Sequence, residues 1–404
     1  MTKRYVAQDA RLGRVEYRDR KRWWWLLSVV YPLIPFLGMA AQAATGSELA
    51  LGLPLLISYG LLPLLDALIG EDRNNPPEAV VPQLDADRYY RWLTWAVVPL
   101  HFVALIGCAW WVGTQALSWW AVLLLAYVAG TDSGLGINTG HELGHKPTRL
   151  EQWLARLVLA VPAYGHFTVE HGRGHHRTVS TPDDHASARM GESIYRFALR
   201  ELPGGIRRAW TLEGQRLRGR GRGVWSVHNT VLQSYAATVV LQAGLIAAFG
   251  AVMLPFLAVH NAVAWWQLTS ANYVEHYGLL RAREPGGRYE PPQPHHSWNT
   301  NHLVTNLALF HLQRHSDHHA WPSRRYQSLR HFEQLPQLPS GYFGMFPLAY
   351  IPWLWFRVMD PRLLALPHVR GDLDRVNLDP RRRQALRARY GAGAAPLPEG
   401  ERAA

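Results

Sequence analysis

The sequence has almost no cysteine, since Cys108 is the single one among 404 residues. A disulfide needs two cysteines, and thiolate-bound zinc or iron sites need several. Both are therefore excluded for this sequence, and any metal that it binds must be held by histidine and carboxylate side chains.

Acidic residues are also few, because 30 Asp and Glu stand against 42 Lys and Arg, which gives a formal net charge of +12. Such a surplus occurs in nucleic-acid-binding proteins, but here the basic residues flank apolar segments: they lie near the N-terminus, in residues 196–222 and near the C-terminus. The cytoplasmic ends of membrane-spanning helices are enriched in Lys and Arg in the same way. The charge therefore indicates contact with membrane lipids and no nucleic-acid partner.

Long apolar runs are plentiful. Runs of about 20 residues, long enough to cross a bilayer as helices, occupy residues 23–44, 49–69, 90–112, 116–137, 229–249 and 251–272. Very short connections follow the first, third and fifth runs, so each pair should form an antiparallel hairpin. The sequence thus predicts an all-α integral membrane protein with about six transmembrane helices, arranged as three hairpins, and a cytoplasmic cap of helices and loops.

This pattern divides the chain into three parts. Residues 1–22 are predicted to be a basic cytoplasmic tail, residues 23–390 a single membrane-embedded domain, and residues 391–404 a flexible tail or linker. With the basic N-terminus inside, the three hairpins return the chain to the cytoplasmic side before every histidine-rich segment. We therefore expect a multi-pass protein whose active site faces the cytoplasm.

Histidines are concentrated in four short segments, which we call histidine boxes. Residues 141–145 hold two histidines at i and i+4, residues 171–176 and 315–319 hold three each, and one follows the last apolar run. Positions i and i+4 share a face of a helix, so such pairs can chelate a metal. One zinc takes three or four ligands, so nine imidazoles indicate two metals of higher coordination number. The predicted ligands are His141, His145, His171, His175, His176, His276, His315, His318 and His319.

Each box also carries a carboxylate beside a histidine. A metal-bound imidazole usually donates its other ring N–H to an acceptor that fixes its orientation. The carboxylates expected in this role are Glu142, Glu170, Glu275 and Asp317. Supporting roles are also expected for His295, His296, His302 and His311, which lie near the boxes. Packing or surface positions are expected for His101, His166, His228, His260 and His368.

Two hypotheses without oxygen chemistry stay open at this point. His141-Glu142-Leu-Gly-His145 fits the zinc-protease pattern H-E-x-x-H, in which the glutamate is the general base. A protease would leave the other seven box histidines unexplained. A metal transporter would need polar groups along a path through the membrane, and the apolar runs show few besides Asp66.

Taken together, the boxes resemble those of the membrane-bound alkane hydroxylases, or alkane 1-monooxygenases, within the fatty acid desaturase-like superfamily of histidine-rich diiron enzymes. The segments HELGHK, EHGRGHH and LQRHSDHHA fit the whole superfamily, whereas NYVEHYGL around His276 narrows the resemblance to the alkane hydroxylases. GEDRNNPPE, WWQLTSANY and RRYQSLR are similar to that family as well, so the resemblance covers nearly the whole chain. A related hydroxylase or a desaturase is the alternative.

The resemblance implies terminal hydroxylation of a medium- or long-chain n-alkane to a primary alcohol. Dioxygen would be the co-substrate, the nine box histidines would hold two iron ions, and no organic cofactor would be bound. Electrons would come from rubredoxin, which rubredoxin reductase reduces with NADH. Because a rubredoxin needs four cysteines, that donor would be a separate protein or a fused domain beyond Ala404. The bacterial inner membrane is the expected location.

An alkane has no polar group, so its site must recognise it by shape and burial. A tunnel from the lipid to the metals is expected between the helices. The small residues Ser58 and Gly60, in the second apolar run, would leave such a tunnel open. Tight helix packing is an equally good reason for small residues there.

Overall fold

The apolar runs fold into long helices, because a helix pairs its own backbone N–H and C=O groups and leaves few of them facing lipid. The computed structural model describes residues 2–391, so the predicted tail at residues 391–404 lies, apart from its first residue, outside the described residues. The helices are α1 (Leu26–Leu33), α2 (Pro35–Thr45), α3 (Glu48–Ile69), α4 (Val81–Ala86), α5 (Arg88–Thr114), α6 (Trp119–Gly144), α7 (Arg149–Ala160), α8 (residues 167–178), α9 (Ile194–Arg218), α10 (Thr230–Phe249), α11 (Met253–His276), α12 (Leu303–Ala308), α13 (His315–Ala320), α14 (Tyr342–Ala349), α15 (Pro352–Leu364) and α16 (Arg383–Tyr390). Short 3-10 turns occupy Glu78–Val80, Pro294–His296, Tyr326–Ser328 and Leu373–Arg375.

Four helices are long and apolar enough to cross a membrane, namely α3, α5, α6 and α10. Helices α1 and α2 make a fifth candidate if they are one span bent by 44°. The last predicted run lies in α11, which has 24 residues but carries polar ones along its length, among them His260, Asn261 and Gln267. Residues 2–391 therefore contain four or five helices with the length and composition of membrane spans, as in a membrane protein, and the arrangement of six spans stays a prediction.

The three tight connections lie together at one end of the helical body. Glu48, at the start of α3, accepts hydrogen bonds of 2.7 and 2.5 Å from the backbone N–H and the hydroxyl of Ser118, just before α6. Gly113 in α5 lies against Phe249 at the end of α10, where an added Cβ would be 2.5 Å from the ring. Since α6 and α11 both start at this end, their C-terminal histidines lie at the opposite end.

Helices α6 and α11 form the centre of the helical body. Gly130 and Gly134 in α6 allow close approach, because a Cβ at these positions would lie 2.6 Å from the carbonyl oxygen of His260 and 2.5 Å from Cβ of Gln267. The most apolar stretch of α6 is 72% buried inside the protein, whereas the corresponding stretches of α3 and α10 are each 22% buried. The packing of this central pair places two histidine boxes beside each other.

The N-terminal residues, predicted to be a tail, form a β-hairpin, so the fold is mostly helical rather than all-α. Strands β1 (Lys3–Asp9) and β2 (Gly13–Asp19) pair antiparallel, with Tyr5 opposite Tyr17. Tyr5 is buried, and its hydroxyl donates a 2.6 Å hydrogen bond to Asp87, at the start of α5. Alternating polar and apolar residues around Gly13, which has a φ of 71°, are typical of such a hairpin.

Candidate metal centre

The nine box histidines meet at one end of the helical body. Two come from the C-terminal end of α6, three from α8, one from the end of α11 and three from α13. None of the nine is exposed. They separate into two clusters, group A with His141, His145, His171, His176 and His318, and group B with His175, His276, His315 and His319.

In group A, one ring nitrogen from each histidine lies within 4.8 Å of all the others. The Nε2 atom of His176 is 3.0 Å from Nε2 of His171 and 3.3 Å from Nε2 of His318. Two nitrogens that bind one metal at about 2.1 Å and at right angles are about 3 Å apart. The five nitrogens therefore have the spacing of ligands that share one ion.

Group B has the same spacing with four histidines. The Nε2 atom of His315 lies 3.1 Å from Nε2 of His276 and 2.9 Å from Nε2 of His319. The rings of His175 and His319 have centroids 5.0 Å apart. Helices α8, α11 and α13 thus all contribute to group B, and the box around His276 contributes to this group alone.

The segment His171–His175 is a π-helical turn, and it decides which histidine joins which group. With about one extra residue in the turn, His171 and His176 face the same way, while His175 faces group B. In a regular α-helix, His171 would instead share a face with His175, because residues i and i+4 lie on one side. Helices α6 and α13 follow that rule: His141 and His145 lie in group A, and His315 and His319 lie in group B.

Both groups have the properties of metal sites. Burial, and then the neighbouring imidazoles, hold the pKa values of His171 and His318 well below the usual range. These rings are therefore neutral near pH 7, which is the form that binds metals. The Nε2 atoms of His141, His145 and His175 are buried without a hydrogen-bond partner among the described residues. A cation in each group would satisfy these lone pairs.

Of the four carboxylates predicted to support the ligands, Glu275 contacts one. Its Oε2 lies 3.4 Å from Nε2 of His315, and its Oε1 accepts a 2.9 Å hydrogen bond from the hydroxyl of Tyr342. The other three pair with nearby cations instead: Glu142 lies 3.0 Å from Lys146, Glu170 binds Arg208, and Asp317 lies 2.8 Å from Arg330.

Asp184 is a supporting carboxylate that the sequence analysis missed. Its Oδ2 accepts hydrogen bonds from Nδ1–H of His175 at 2.9 Å and from the hydroxyl of Ser187 at 2.6 Å. Its Oδ1 accepts one from Arg208 at 2.8 Å. Burial would raise the pKa of Asp184, but the hydrogen bond from His175 and the charge of Arg208 hold that pKa well below its usual range. No sequence spacing rule connects Asp184 to His175, since it lies outside the boxes.

A second acceptor fixes His276. Its Nδ1–H donates a 3.1 Å hydrogen bond to the carbonyl oxygen of His296, so the backbone of that residue has the supporting role. The side chains of Glu290, His295 and His296 also lie close together. Nδ1 of His296 accepts a 2.9 Å hydrogen bond from the backbone N–H of Gln293, so the ring proton is on Nε2, which lies 3.3 Å from Glu290. Neither ring nitrogen of His296 is then free to bind a metal.

The two predicted tunnel residues lie in different surroundings. Ser58 is buried, and its Oγ lies 2.5 Å from the hydroxyl of Tyr31 and donates to the carbonyl of Pro54 at 2.8 Å. Gly60 is exposed, and an added Cβ there would contact nothing within 4 Å. Beside Ser58, a mostly apolar cleft of about 480 Å³ lies between α3, α6 and α14, lined by Leu55, Tyr59, Tyr127, Pro347 and Tyr350.

Polar groups inside the apolar helices are more numerous than the sequence analysis assumed. Asp66 accepts hydrogen bonds from the backbone N–H groups of Val304 and Thr305, at 2.9 and 3.1 Å, and so caps α12. In addition, Asp132 lies 3.4 Å from Nδ1 of His101, and both side chains are buried. Asp66 is therefore a local cap, and Asp132 forms a local pair with His101.

Comparisons with known proteins bear on the same site. The fatty acid desaturase family model matches residues 117–349, which include all nine box histidines. The chain is 55% identical over 381 residues to the alkane 1-monooxygenase of Ectopseudomonas oleovorans, with 94% of each chain covered. It is 54% identical over 384 residues to alkane 1-monooxygenase 1 of Alcanivorax borkumensis, with 95% of this chain and 94% of that protein covered. The likeness thus extends over nearly the whole chain.

Proposed function

We propose, from the premise that this chain belongs to the alkane 1-monooxygenase family, that it hydroxylates n-alkanes at the terminal carbon. Family membership confirms the resemblance seen in the histidine boxes. The observation that carries the proposal is the pair of histidine groups at one end of a body of apolar helices. A site of this kind receives its substrate from lipid rather than from water.

Two iron ions are the proposed metals, one in each group. When bound, they would supply dioxygen activation, in which one oxygen atom enters the alkane as a hydroxyl group and the other leaves as water, with the uptake of two electrons and two protons. Group A supports this assignment, because its five imidazoles exceed the four ligands of a zinc ion.

The surrounding residues hold these ligands in place. Asp184 and the carbonyl of His296 accept the Nδ1 protons of His175 and His276, which leaves Nε2 of both rings free to face group B. Hydrogen bonds of this kind fix the tautomer and orientation of a metal ligand. Glu275 lies close enough to His315 to contribute negative charge beside two metal cations.

The zinc-protease alternative lacks its general base. Glu142 pairs with Lys146 and accepts a 3.3 Å hydrogen bond from the backbone N–H of Tyr326. Both contacts are made by Oε1, and they hold the carboxylate toward Lys146 and the backbone of Tyr326 rather than toward a water molecule at the metal. The five-histidine environment of His141 and His145 also leaves no open position typical of a catalytic zinc.

For the substrate, the apolar cleft beside α3 offers a route from lipid. Its lining residues Leu55 and Tyr59 flank Ser58, which lies inside the helical body. Each buried methylene contributes about 0.8 kcal/mol, so an octane-sized chain gains several kcal/mol from an apolar passage. The secondary C–H bonds of an alkane are weaker than those of its terminal methyl group and would react first in an open site. Confinement of the chain would present only the terminal methyl group to the metals.

Family membership also supports a proposal for the electron donor and for the orientation in the membrane. We propose that rubredoxin, reduced by its NADH-dependent reductase, supplies both electrons. We also place the chain in the bacterial inner membrane with the metal centre on the cytoplasmic side. The exposed basic residues of α9, among them Arg207 and Arg218, would face an acidic donor or anionic lipid.

The direct test is product analysis with the purified, iron-loaded protein in lipid nanodiscs. We expect n-octane, a rubredoxin, its reductase and NADH to yield 1-octanol, and His276→Ala to abolish it. His228→Ala is the matched control, because His228 is exposed and lies outside the boxes. An alkene, a secondary alcohol or no product across a range of n-alkanes would overturn the proposal.

A further inference from the structure

A cationic pocket lies in the cap, outside the metal centre. It has a volume of about 180 Å³ and is lined by Arg189, Arg383, Arg387, Asp374 and Asn377, with apolar side chains around them. We name it the Arg189 pocket. Three guanidinium groups against a single carboxylate give it a surplus of positive charge.

The carboxylates of Glu192 and Asp379 act on Arg189 from a distance, but they form ion pairs with Arg200 and Arg196 instead. Arg387 pairs with Asp374, but within residues 2–391 neither Arg189 nor Arg383 forms an ion pair. Arg189 donates one hydrogen bond, of 3.1 Å, to the carbonyl oxygen of Pro182, which leaves most of its donors free. A guanidinium presents a planar fork of donors that matches an oxyanion.

Asn377 is a second and independent indication of a ligand. Its side chain is buried, with 2% of its surface exposed, and its Nδ2 has no hydrogen-bond partner among the described residues. Buried amide donors without a partner are rare, because losing their hydrogen bonds to water costs free energy. Because Asn377 lines the Arg189 pocket, an acceptor bound there would lie beside this unpaired amide as well as beside the two arginines.

We propose that the Arg189 pocket binds an oxyanion of the phosphate class, either free phosphate or the headgroup of an anionic phospholipid. Charge-assisted hydrogen bonds from Arg189 and Arg383 provide the attraction, and the Asn377 amide provides a neutral donor. The site is separate from the hydroxylation chemistry and does not depend on it.

The position of the pocket connects it with the metal centre. Arg189 and Pro182 belong to the loop that also holds Asp184, and the backbone N–H of Asn377 donates a 2.9 Å hydrogen bond to the carbonyl of Gly278, two residues after His276. An oxyanion that joins Arg189 to Arg383 therefore holds the 182–189 loop against the C-terminal segment. Bound anion should slow amide hydrogen exchange in residues 182–189.

The test measures binding to the full chain in phosphatidylcholine nanodiscs and a phosphate-free buffer. Inorganic phosphate is titrated by calorimetry, and nanodiscs with added phosphatidylglycerol are examined by native mass spectrometry for retained anionic lipid. Removing one charge-assisted hydrogen bond should weaken binding about tenfold, so we expect this loss in Arg383→Gln and Arg189→Gln. Arg220→Gln, at an exposed arginine after α9, is the control.

Each outcome decides the proposal. If the wild type binds phosphate and the two pocket variants bind it more weakly, the ligand is free phosphate. If the wild type retains anionic lipid and the two variants retain less of it, the ligand is the lipid headgroup. Either result supports the site. Arg383 is exposed and makes no side-chain hydrogen bond, so its variant should keep the wild-type melting temperature without phosphate even if Arg189→Gln does not fold. Absence of both ligands from the wild type, or equal binding by Arg383→Gln, would overturn it.

Discussion

Replacing Asp184 by asparagine removes a buried charge while almost preserving the shape of the side chain. In the native protein, one oxygen accepts from His175 and Ser187 and the other from Arg208. An asparagine has a single acceptor oxygen. If that oxygen faces His175, the amide N–H₂ faces the Arg208 guanidinium; if it faces Arg208, the amide N–H₂ faces Nδ1 of His175.

Both orientations weaken metal binding in group B. In the second, Nδ1 of His175 must accept a hydrogen bond from the amide, so Nε2 carries the ring proton and cannot bind a metal. In the first, the tautomer is kept, but the carboxylate that raises the basicity of the imidazole is lost. Loss of such a partner typically costs 10- to 100-fold in metal affinity, or about 1.4 to 2.8 kcal/mol. We expect Asp184→Asn to lose the group B metal first.

The assay is a chelator competition followed by metal analysis on the purified protein. Wild type and Asp184→Asn are equilibrated with increasing chelator, and the metal retained per chain is measured together with the melting temperature. Asp183→Asn is a matched control, because the neighbouring aspartate is exposed and carries the same charge. Chelator curves for Asp184→Asn that coincide with those of the wild type would refute a supporting role for Asp184.

Three further predictions follow from the packing of single residues. Burial raises the pKa of Asp360 to about 6, above the unfolded value of about 3.9, so the folded state binds more protons between these values and stability falls as the pH rises from 4 through 6. Asp360→Asn should remove up to about 3 kcal/mol of this pH dependence. If the melting temperatures of the wild type and of Asp360→Asn changed in the same way from pH 4 to 7, the prediction would be contradicted. Gly278→Ala should destabilise the fold by about 1 to 3 kcal/mol, because Gly278 has a φ of 73° and Leu363 occupies the space of a Cβ; thermal denaturation measures this, and an unchanged melting temperature would show that the backbone relaxes. Ser58→Trp should shorten the preferred alkane, because Ser58 is buried against Tyr31; an unchanged chain-length profile in a mixed-alkane assay would remove Ser58 from the tunnel.

The sequence predicts which histidines meet, and the physical reason is simple. Three boxes carry their histidines at helical spacing, and an apolar helix fixes the end at which the fourth emerges. The division into groups does not follow from spacing, because the π-helical turn at His171–His175 shifts the faces of the helix by about one residue. Neither glycine in that turn signals a π-helix rather than an α-helix.

Supporting carboxylates were harder to predict than ligands. Proximity in sequence suggested Glu142 and Asp317, but both pair with nearby cations, since a charged partner lies within reach of each. The carboxylate that contacts His175 comes from a loop whose path depends on tertiary packing. The length of α11 likewise predicts an apolar span, but His260 and Gln267 in this helix bond to Ser133 and Tyr59 of neighbouring helices, and these contacts depend on tertiary packing.

His175 and His176 are consecutive residues, yet they belong to different groups. One peptide bond therefore connects the two metal positions, and its length does not change when either ion changes its oxidation state. A shift of the backbone that suits one ion must move a ligand of the other. We therefore expect uptake and loss of the two ions to be cooperative, and a change of oxidation state at one to alter the spectrum of the other.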